Sequence, residues 1–322
     1  MRRLKIFIIG GAGYIGSHMV KVAHKAGHDV VTIDNLSTGH HDAVLYGEFE
    51  LCDILDTLKL DKLFKKHKPD AVMHFSAYSI VEESVSDPYK YYNNNISGTL
   101  NLLRSMIDNN CMRFIFSSSA AIFGNPVYIP IDENHPKNPI NPYGKSKLMV
   151  EEILKDFESA YGLKYVTLRY FNAAGHDPEG ELTERHNPET HLLPIIMQAA
   201  NRKRQSVSIF GNDYDTADGS CIRDYIHVND LANAHLKGLE YLYNSGTSST
   251  DFNLGNGSGF SVKEVVQQVK DITNKNFLVI EERRRNGDPS TLIASDKKAQ
   301  KILKYKKNFP SLKKIIQTLI KN

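Results

Sequence analysis

Tryptophan is absent from this chain and cysteine nearly so: Cys52, Cys111 and Cys221 are the three in 322 residues. They lie far apart, form no CxxC pair and offer no framework of bridges, which excludes a disulfide-stapled scaffold and suits a reducing compartment. No stretch approaches the roughly 18 apolar residues of a membrane-spanning helix. The run Ile6–Ile9 meets glycine after four residues, too soon for the core of a signal peptide. Glycine (21) and proline (12) are too sparse for a collagen-like or low-complexity chain. A positive surplus is missing from the body as well. Nine of the 40 Lys and Arg fall in residues 297–322, which hold no acid, so the first 296 residues carry 31 bases against 37 acids, a net of −6. A basic face for nucleic acid is not expected, and the composition reads as a cytoplasmic chain with neither a nucleic-acid nor a membrane partner. At this length a large core is available without cross-links.

What is present is an alternation. Apolar runs at Leu4–Ile9, Val30–Ile33, Ala71–Phe75, Arg113–Ser117 and Tyr165–Arg169 are separated by amphipathic stretches. Between the first two, Ile15, Met19, Val22, Ala23 and Ala26 fall on one helix face, with Gly27 as the stop. The runs are apolar throughout rather than alternating, as strands covered on both faces should be. The fold class is therefore α/β, a doubly wound parallel sheet of Rossmann type. After Gly175 the texture changes. His176–Pro188 and Asn212–Ser220 read as polar loops, and strand-like runs return at Val207–Phe210, Tyr225–Val228 and Phe277–Ile280. A cofactor half to about residue 170 and a smaller, interleaved C-terminal half are expected. Leu312, Ile315, Ile316 and Leu319 have helical spacing, so the Lys-rich tail reads as a surface helix with a solvated basic face.

Gly10-Gly11-Ala12-Gly13-Tyr14-Ile15-Gly16 follows the first strand and opens the first helix. Glycines there permit a tight turn and let backbone N–H groups approach a pyrophosphate at the positive end of a helix. The second strand ends at Asp34, where a carboxylate can accept ribose hydroxyls and repel a 2′-phosphate, so NAD is favoured as cofactor. In Tyr143-Gly144-Lys145-Ser146-Lys147, Tyr and Lys stand four apart on one helix face. That spacing arises by chance in a chain with 16 Tyr. Its place after Asn141-Pro142, one segment beyond the strand ending Ser117-Ser118-Ser119, carries more weight, because strand carboxyl ends face the ligand crevice. Bringing a phenol from a pKa of about 10 to near 7 needs about 4 kcal/mol. One cation at about 6 Å in an effective dielectric of 20 supplies on the order of 3 kcal/mol. Lys147 together with a positive nicotinamide ring can thus poise Tyr143 as a base, with Ser119 sharing the proton.

The segments GGAGYIGSH, DNLSTG, CDILD, HFSAYSIVEES, SSSAAIFG, NPYGKSKLMVE, RYFNAAG, IFGNDYDTADGSCIRDYIHV, NLGNGSGFSV and RRRNGDPSTLIAS resemble, in unbroken order from about residue 4 to 310, the UDP-glucose 4-epimerases of the extended short-chain dehydrogenase/reductase family. The glycine motif and YxxxK mark only the superfamily; IFGNDYDTADG…RDYIHV is far more specific. The resemblance implies reversible 4-epimerisation of UDP-glucose and UDP-galactose through a 4-keto sugar, with NAD tightly bound, and commonly a homodimer. By it, Ser119, Tyr143 and Lys147 are catalytic. Gly10, Gly13, Tyr14, Ile15, Gly16, Asp34, Asn35, Thr38, Gly39, Asp53, Ile54, Phe75, Ser76, Ala77, Ser79, Asn95 and Phe171 join Tyr143 and Lys147 in the NAD site. Asn172, His191, Leu192, Phe210, Arg223, Tyr225, Arg285 and Asp288, with Ser119 and Tyr143, hold the UDP-sugar. Forked cationic donors suit a diphosphate on an acidic body, although by themselves Arg223 and Arg285 read as surface charges. Residues 1–170 are then the NAD-binding domain, with about 223–252 returning to it, and 171–322 mainly the sugar-binding one.

Some epimerases carry Lys where this chain has Ser79. No metal is expected: Asp213, Asp215 and Asp218 lack EF-hand spacing, and the 13 His show no HExxH-like pair. Three rivals remain at this point. A related dehydratase or decarboxylase would carry acids where this chain has Ala120 and Ala121. An epimerase of UDP-N-acetylhexosamines or UDP-pentoses stays open, since Leu292 is of middling bulk. A non-catalytic NAD-binding regulator would usually lose Ser, Tyr or Lys, and all three are present.

Overall fold

The computed structural model describes residues 2–244, 248–285 and 288–320. Strand and helix alternate as the periodicity predicts: β1 (Lys5–Ile9), α1 (Tyr14–Lys25), β2 (Asp29–Asp34), β3 (Glu48–Leu51), α2 (Thr57–His67) and β4 (Ala71–His74). Two short helices follow, α3 (Val81–Ser86) and α4 (Pro88–Tyr92), then α5 (Thr99–Asp108), β5 (Arg113–Ser119), α6 (Pro142–Tyr161) and β6 (Lys164–Tyr170). The remainder runs β7 (Asn172–Ala174), α7 (Leu192–Ala200), β8 (Ser206–Phe210), β9 (Ile222–His227), α8 (Val228–Asn244) and β10 (Thr250–Leu254). It closes with β11 (Gly259–Ser261), α9 (Val262–Thr273), β12 (Leu278–Glu282), β13 (Thr291–Leu292), α10 (Lys297–Leu303) and α11 (Leu312–Ile320).

Seven strands pair in the order β10-β6-β5-β4-β1-β2-β3, every neighbour parallel. Helices cover both faces, so β1 has an apolar side chain for each. Ile6 and Ile8 join Met19, Leu231 and Leu239 beneath α1 and α8, whereas Phe7 and Ile9 join Leu60, Leu102 and Val150 beneath α2, α5 and α6. Each such fully buried side chain contributes about 1.5–3 kcal/mol. The chain leaves β1 toward β2 and β3 and then returns to β4 on the other side of β1. That reversal opens a crevice at the strands' carboxyl ends.

A smaller unit packs beside this sheet. β9 is its axis, parallel to β7 and β13 and antiparallel to β11, while β8 pairs with β12. α7, α9 and α11 cover it. The return to the large sheet begins with α8, which packs on β5 and β6, and ends with β10; residues 223–227 stay in the smaller sheet as part of β9. In the tail, Leu312, Ile315, Ile316 and Leu319 are buried in that unit's core. Lys307 is not part of a solvated face: its Nζ lies 2.8 Å from Asp296 and donates to the carbonyl of Asn256 (3.0 Å). Lys321 and Asn322, the end of that tail, lie outside the described residues. Ala26, placed on the buried face of α1 by spacing, instead caps the helix and is exposed.

One buried network fastens α6 to the sheet. Arg169 of β6, 2% exposed, donates from Nε (2.9 Å) and Nη2 (2.8 Å) to the two oxygens of Glu151 on α6, and from Nη1 to Asp251 of β10 (2.7 Å). Ser118 of β5 also donates to Glu151 (2.7 Å). Removing one partner of a buried pair strands the other charge, at a cost of about 3–5 kcal/mol. Arg169→Ala should therefore lower the urea midpoint clearly, whereas Lys65→Ala, at the exposed Asp61 pair, should leave it unchanged. Equal midpoints for the two variants would show that the network does not fasten the helix.

Candidate active site

The crevice is a cleft of about 660 Å³ reached from the ends of β1, β2, β4, β5 and β6. Its floor is the glycine turn. Gly10 has φ +79°, and a Cβ there would stand 2.5 Å from the backbone nitrogen of Ser76. A Cβ at Gly16 would stand 2.1 Å from the carbonyl oxygen of Gly10. Only glycine lets the turn, the strand-end loop and the helix approach this closely. α1 starts at this turn with no side-chain cap and no acid in its first turn, so its N–H groups and dipole favour an anion. Asp34 closes the far side, accepting the N–H groups of Ala12 (3.0 Å) and Leu36 (2.8 Å). Burial pushes its carboxyl up and those N–H groups oppose the shift. Each oxygen keeps a lone pair for a ribose hydroxyl. These residues fit the adenosine diphosphate half of NAD.

The motif Asn141–Lys147 builds the other end in seven residues. Asn141 Oδ1 accepts the N–H of Gly144 (2.8 Å) and caps α6, and Pro142 takes the first turn. A Cβ at Gly144 would stand 2.4 Å from the carbonyl oxygen of Ala121, so glycine lets α6 press against the turn that follows Ser119. That contact brings Tyr143 and Ser119 to one wall of the cleft. Four residues on, Lys147 Nζ donates to the carbonyl of Ser117 (2.8 Å), 5.9 Å from the centre of the Tyr143 ring. Ser119 Oγ accepts the N–H of Ala121 (3.1 Å), which leaves its own proton free to be donated.

Burial pushes the Tyr143 phenol up, opposed by its hydrogen bond with Ser119. Burial also pulls Lys147 down to about 7, with Glu151 acting against it. Burial of this wall therefore favours the neutral phenol. Positive charge beside the phenol would oppose that effect, the role the sequence assigns to Lys147 and the nicotinamide ring.

Of the residues named from sequence, the cleft also gathers Gly13, Tyr14, Ile15, Asn35, Thr38, Phe75, Ser76, Ala77, Ser79, Phe171, Asn172, His191, Arg223 and Asp288. Arg223 is no surface charge: its side chain is 11% exposed, with Nη2 3.0 Å from Asp288. The others stand behind the wall or apart from it. Asp53 accepts from Asn35 (2.8 Å) and Ile54 packs under Gly98. Gly39 lies close against Ala12, whose carbonyl accepts the N–H of His40 (3.0 Å). Asn95 is buried, accepting the Tyr78 N–H (3.0 Å) and donating to Ser146 of α6 (3.1 Å). Leu192 opens α7, and Tyr225 is buried in β9 opposite Asn172. Phe210 ends β8 beneath the exposed Arg285 guanidinium, 3.9 Å from the ring centre. In the Asp-rich loop, Asp213 pairs with Arg284 (2.6 Å), and Asp218 accepts from Ser220 (2.7 Å) and from Ser261. Sequence reasoning missed Tyr78, Glu83, Lys90 and Asn94 on one rim and Glu184, His186 and Thr190 on another. Glu83 and Lys90 sit on the short helices α3 and α4, and Tyr78, Glu184, His186 and Thr190 on irregular segments, where no periodicity marks which side chain turns inward.

Among parallel-sheet folds, this pairing of a glycine turn with a Ser, Tyr and Lys wall is that of the NAD-dependent short-chain dehydrogenase/reductases. Residues 6–255 match the NAD dependent epimerase/dehydratase family, and the chain belongs to that family and, within it, to the UDP-glucose 4-epimerases. The UDP-glucose 4-epimerase of Halalkalibacterium halodurans is 49% identical over 314 residues, 98% of this chain and 94% of that protein. The crystal structure of the Brucella ovis UDP-glucose 4-epimerase in complex with NAD superposes with a TM-score of 0.94 at 46% identity, covering 98% of this chain and 97% of that one. The UDP-Glc/GlcNAc 4-epimerase of Campylobacter jejuni superposes with a TM-score of 0.85 at 41% identity, covering 99% of this chain and 98% of that one. No helix among the described residues is long and apolar enough to cross a membrane.

Phenolate is the working form of a tyrosine base, so activity should climb as pH rises through the Tyr143 pKa. Removing a cation at about 6 Å forfeits roughly 3 kcal/mol, about two pKa units. Lys147→Met should move the acidic limb of the kcat profile up by about that much, and near-ultraviolet phenolate absorbance should move with it. An unmoved limb would remove Lys147 from the poise.

Proposed function

We propose that this chain interconverts UDP-glucose and UDP-galactose, with Tyr143 as the base, Ser119 as its proton partner and Lys147 as its electrostatic support. The observation that carries the assignment is the convergence of Ser119 and Tyr143 on one wall of a cleft whose other end is the glycine turn. NAD, when bound, supplies the hydride chemistry by accepting hydride from the sugar's C4 and returning it to the opposite face. The protein does the rest. Ser119 donates a hydrogen bond to the 4-hydroxyl oxygen, Tyr143 takes that hydroxyl's proton and later returns it, and Lys147 stays fixed on the Ser117 carbonyl beside both. Arg223 and the exposed Arg285 are the donors for the diphosphate, about which the keto sugar turns. Ala120 and Ala121 line the wall next to Ser119, so no acid stands ready to expel water or carbon dioxide.

The large sheet with α8 and β10 is read as the NAD-binding domain, and the β9-centred unit as the domain for the UDP-sugar. A homodimer and a cytoplasmic location are carried on resemblance, and sedimentation tests the first. A second reading turns on Leu292, a half-buried residue of the cleft wall whose middling bulk does not choose between a hydroxyl and an N-acetyl group. The Campylobacter jejuni relative, described as acting on both Glc and GlcNAc derivatives, makes UDP-N-acetylglucosamine the substrate to try next.

Proton NMR of the purified protein with UDP-glucose and no added cofactor should show UDP-galactose growing to a fixed ratio. Tyr143→Phe should lower that turnover by about two to four orders of magnitude while UDP affinity barely changes. Wild-type turnover in the variant would remove Tyr143 as the base, and no conversion even with NAD supplied would move the assignment to another UDP-sugar.

A further inference from the structure

Between β7 and α7 the chain reads Glu184-Arg185-His186-Asn187-Pro188-Glu189-Thr190-His191, an ExHxxExH pattern of which the UDP-sugar reading uses His191 alone. Four side chains of this loop, from the buried Glu184 to the exposed His191, offer ligand atoms that all lie within 4.8 Å of one another. Glu184 Oε1 is 3.2 Å from His186 Nδ1 and 3.1 Å from His191 Nδ1. His191 Nδ1 is 2.9 Å from Glu189 Oε1, and His186 Nδ1 is 3.9 Å from Glu189 Oε2.

The Glu184 side chain is 1% exposed, yet neither of its oxygens has a hydrogen-bond partner, and His186 Nδ1 has none either. A buried carboxylate in that state is costly unless something cationic completes it. Glu189 differs: the N–H groups of Thr190 and His191 (2.9 Å each) hold its Oε1, as outer-shell donors commonly orient a ligating carboxylate. A neighbouring acidic group shows the contrast. Asp177, Glu179 and Glu181 surround Lys21 Nζ at 2.5, 3.0 and 2.7 Å, so an ammonium already fills the cationic place there. No Lys or Arg is paired with Glu184 or Glu189 among the described residues, and Arg185 turns away to grip Asp42 with two bonds (2.9 and 2.7 Å).

We propose that Glu184, His186, Glu189 and His191 form a binding site for a divalent transition-metal cation, with zinc as the best match. A tetrahedral shell with metal–ligand distances near 2.05 Å has edges of about 3.3 Å, and the close separations here bracket that value. Two imidazole nitrogens select against magnesium and calcium, which take oxygen ligands, and a two-nitrogen, two-oxygen set suits zinc. Four protein ligands close the shell, so the ion acts as a structural staple. Glu184, His186 and His191 line the same cleft as Tyr14, whose ring meets His186 edge-on at 6.1 Å. The staple therefore fixes the loop against the cofactor end of the cleft, a role absent from the sequence expectation of a metal-free protein.

The test uses the whole protein and zinc itself. Protein prepared from zinc-supplemented medium, or titrated with zinc chloride in a calorimeter, should hold one equivalent per chain. Glu184→Gln and His186→Ala should each weaken that binding by at least about 100-fold. Zinc should also slow tryptic cleavage of the wild type after Arg185, a readout that needs neither variant and is independent of epimerase activity. Stoichiometric binding lost in both variants, together with slower cleavage, is the expected result. No binding, binding equal in the variants and the wild type, or cleavage indifferent to zinc would each overturn the site.

Discussion

The position of the first turn of α6 is the constraint on which the rest of the cleft depends. The proposed roles of Tyr143 and Lys147 need that turn against the strand end at Ser117–Ser119, and three separate contacts hold it there. Asn141 caps it, Gly144 removes the Cβ that would keep it off Ala121, and Lys147 itself is tied to the Ser117 carbonyl. One turn further on, Glu151 is locked to Arg169 and Ser118. The helix is thus fixed to β5 and β6 along its buried side, and the catalytic geometry follows from a sheet contact rather than from the flexibility of side chains. Asn95 repeats the device from outside, bridging Tyr78 in the loop after β4 to Ser146 on α6.

The burial that gives the site its geometry works against its chemistry. It raises the Tyr143 phenol and lowers Lys147, so the dry wall by itself favours a neutral pair. On the proposed reading, positive charge from a bound cofactor would offset that effect and tie proton abstraction to an occupied cofactor site. The opposite end solves a different problem with the same means. There the charge is on the ligand, and the protein meets it with backbone: glycines at 10 and 16 bring the N-terminus of α1 close, and no acid in that first turn competes with the anion.

Much of this was legible because it is local. A strand covered on both faces must be apolar throughout, so β1, β2, β4, β5 and β6 announce themselves, and a glycine turn or a YxxxK pair is complete within one segment. β3 and β10 carry no local strand pattern, for opposite reasons, although the resemblance returns about 223–252 to the large domain. β3 is an edge strand of sequence Glu-Phe-Glu-Leu, exposed and acidic, while β10 rejoins the large sheet 80 residues after β6 with no local sign of its partner. Arg223 shows the limit for single residues. Its charge says surface, and only the fold, by placing β9 against the cleft, shows that it is mostly withdrawn from solvent and paired with Asp288.

The loop before α7 carries that limit further. Its polar, proline-containing sequence reads as solvent-facing, and its histidines form no motif of the helical kind, because HExxH relies on a regular helix to set ligand spacing. Here irregular backbone does the setting. Contacts with the turn after β2, from Asp42 to Arg185 and from the His40 ring to the Arg185 carbonyl (2.9 Å), anchor the loop beside the buried Glu184. The chemistry of such a segment cannot be read from periodicity, since it has none. It follows from which groups the anchors force together and from whether those groups satisfy one another. At Lys21 the acids are satisfied by an ammonium; at Glu184 both carboxylate oxygens and the His186 Nδ1 that faces them have no hydrogen-bond partner. That difference in satisfaction, more than the count of ligands, separates a structural ion pair from a place made for a cation.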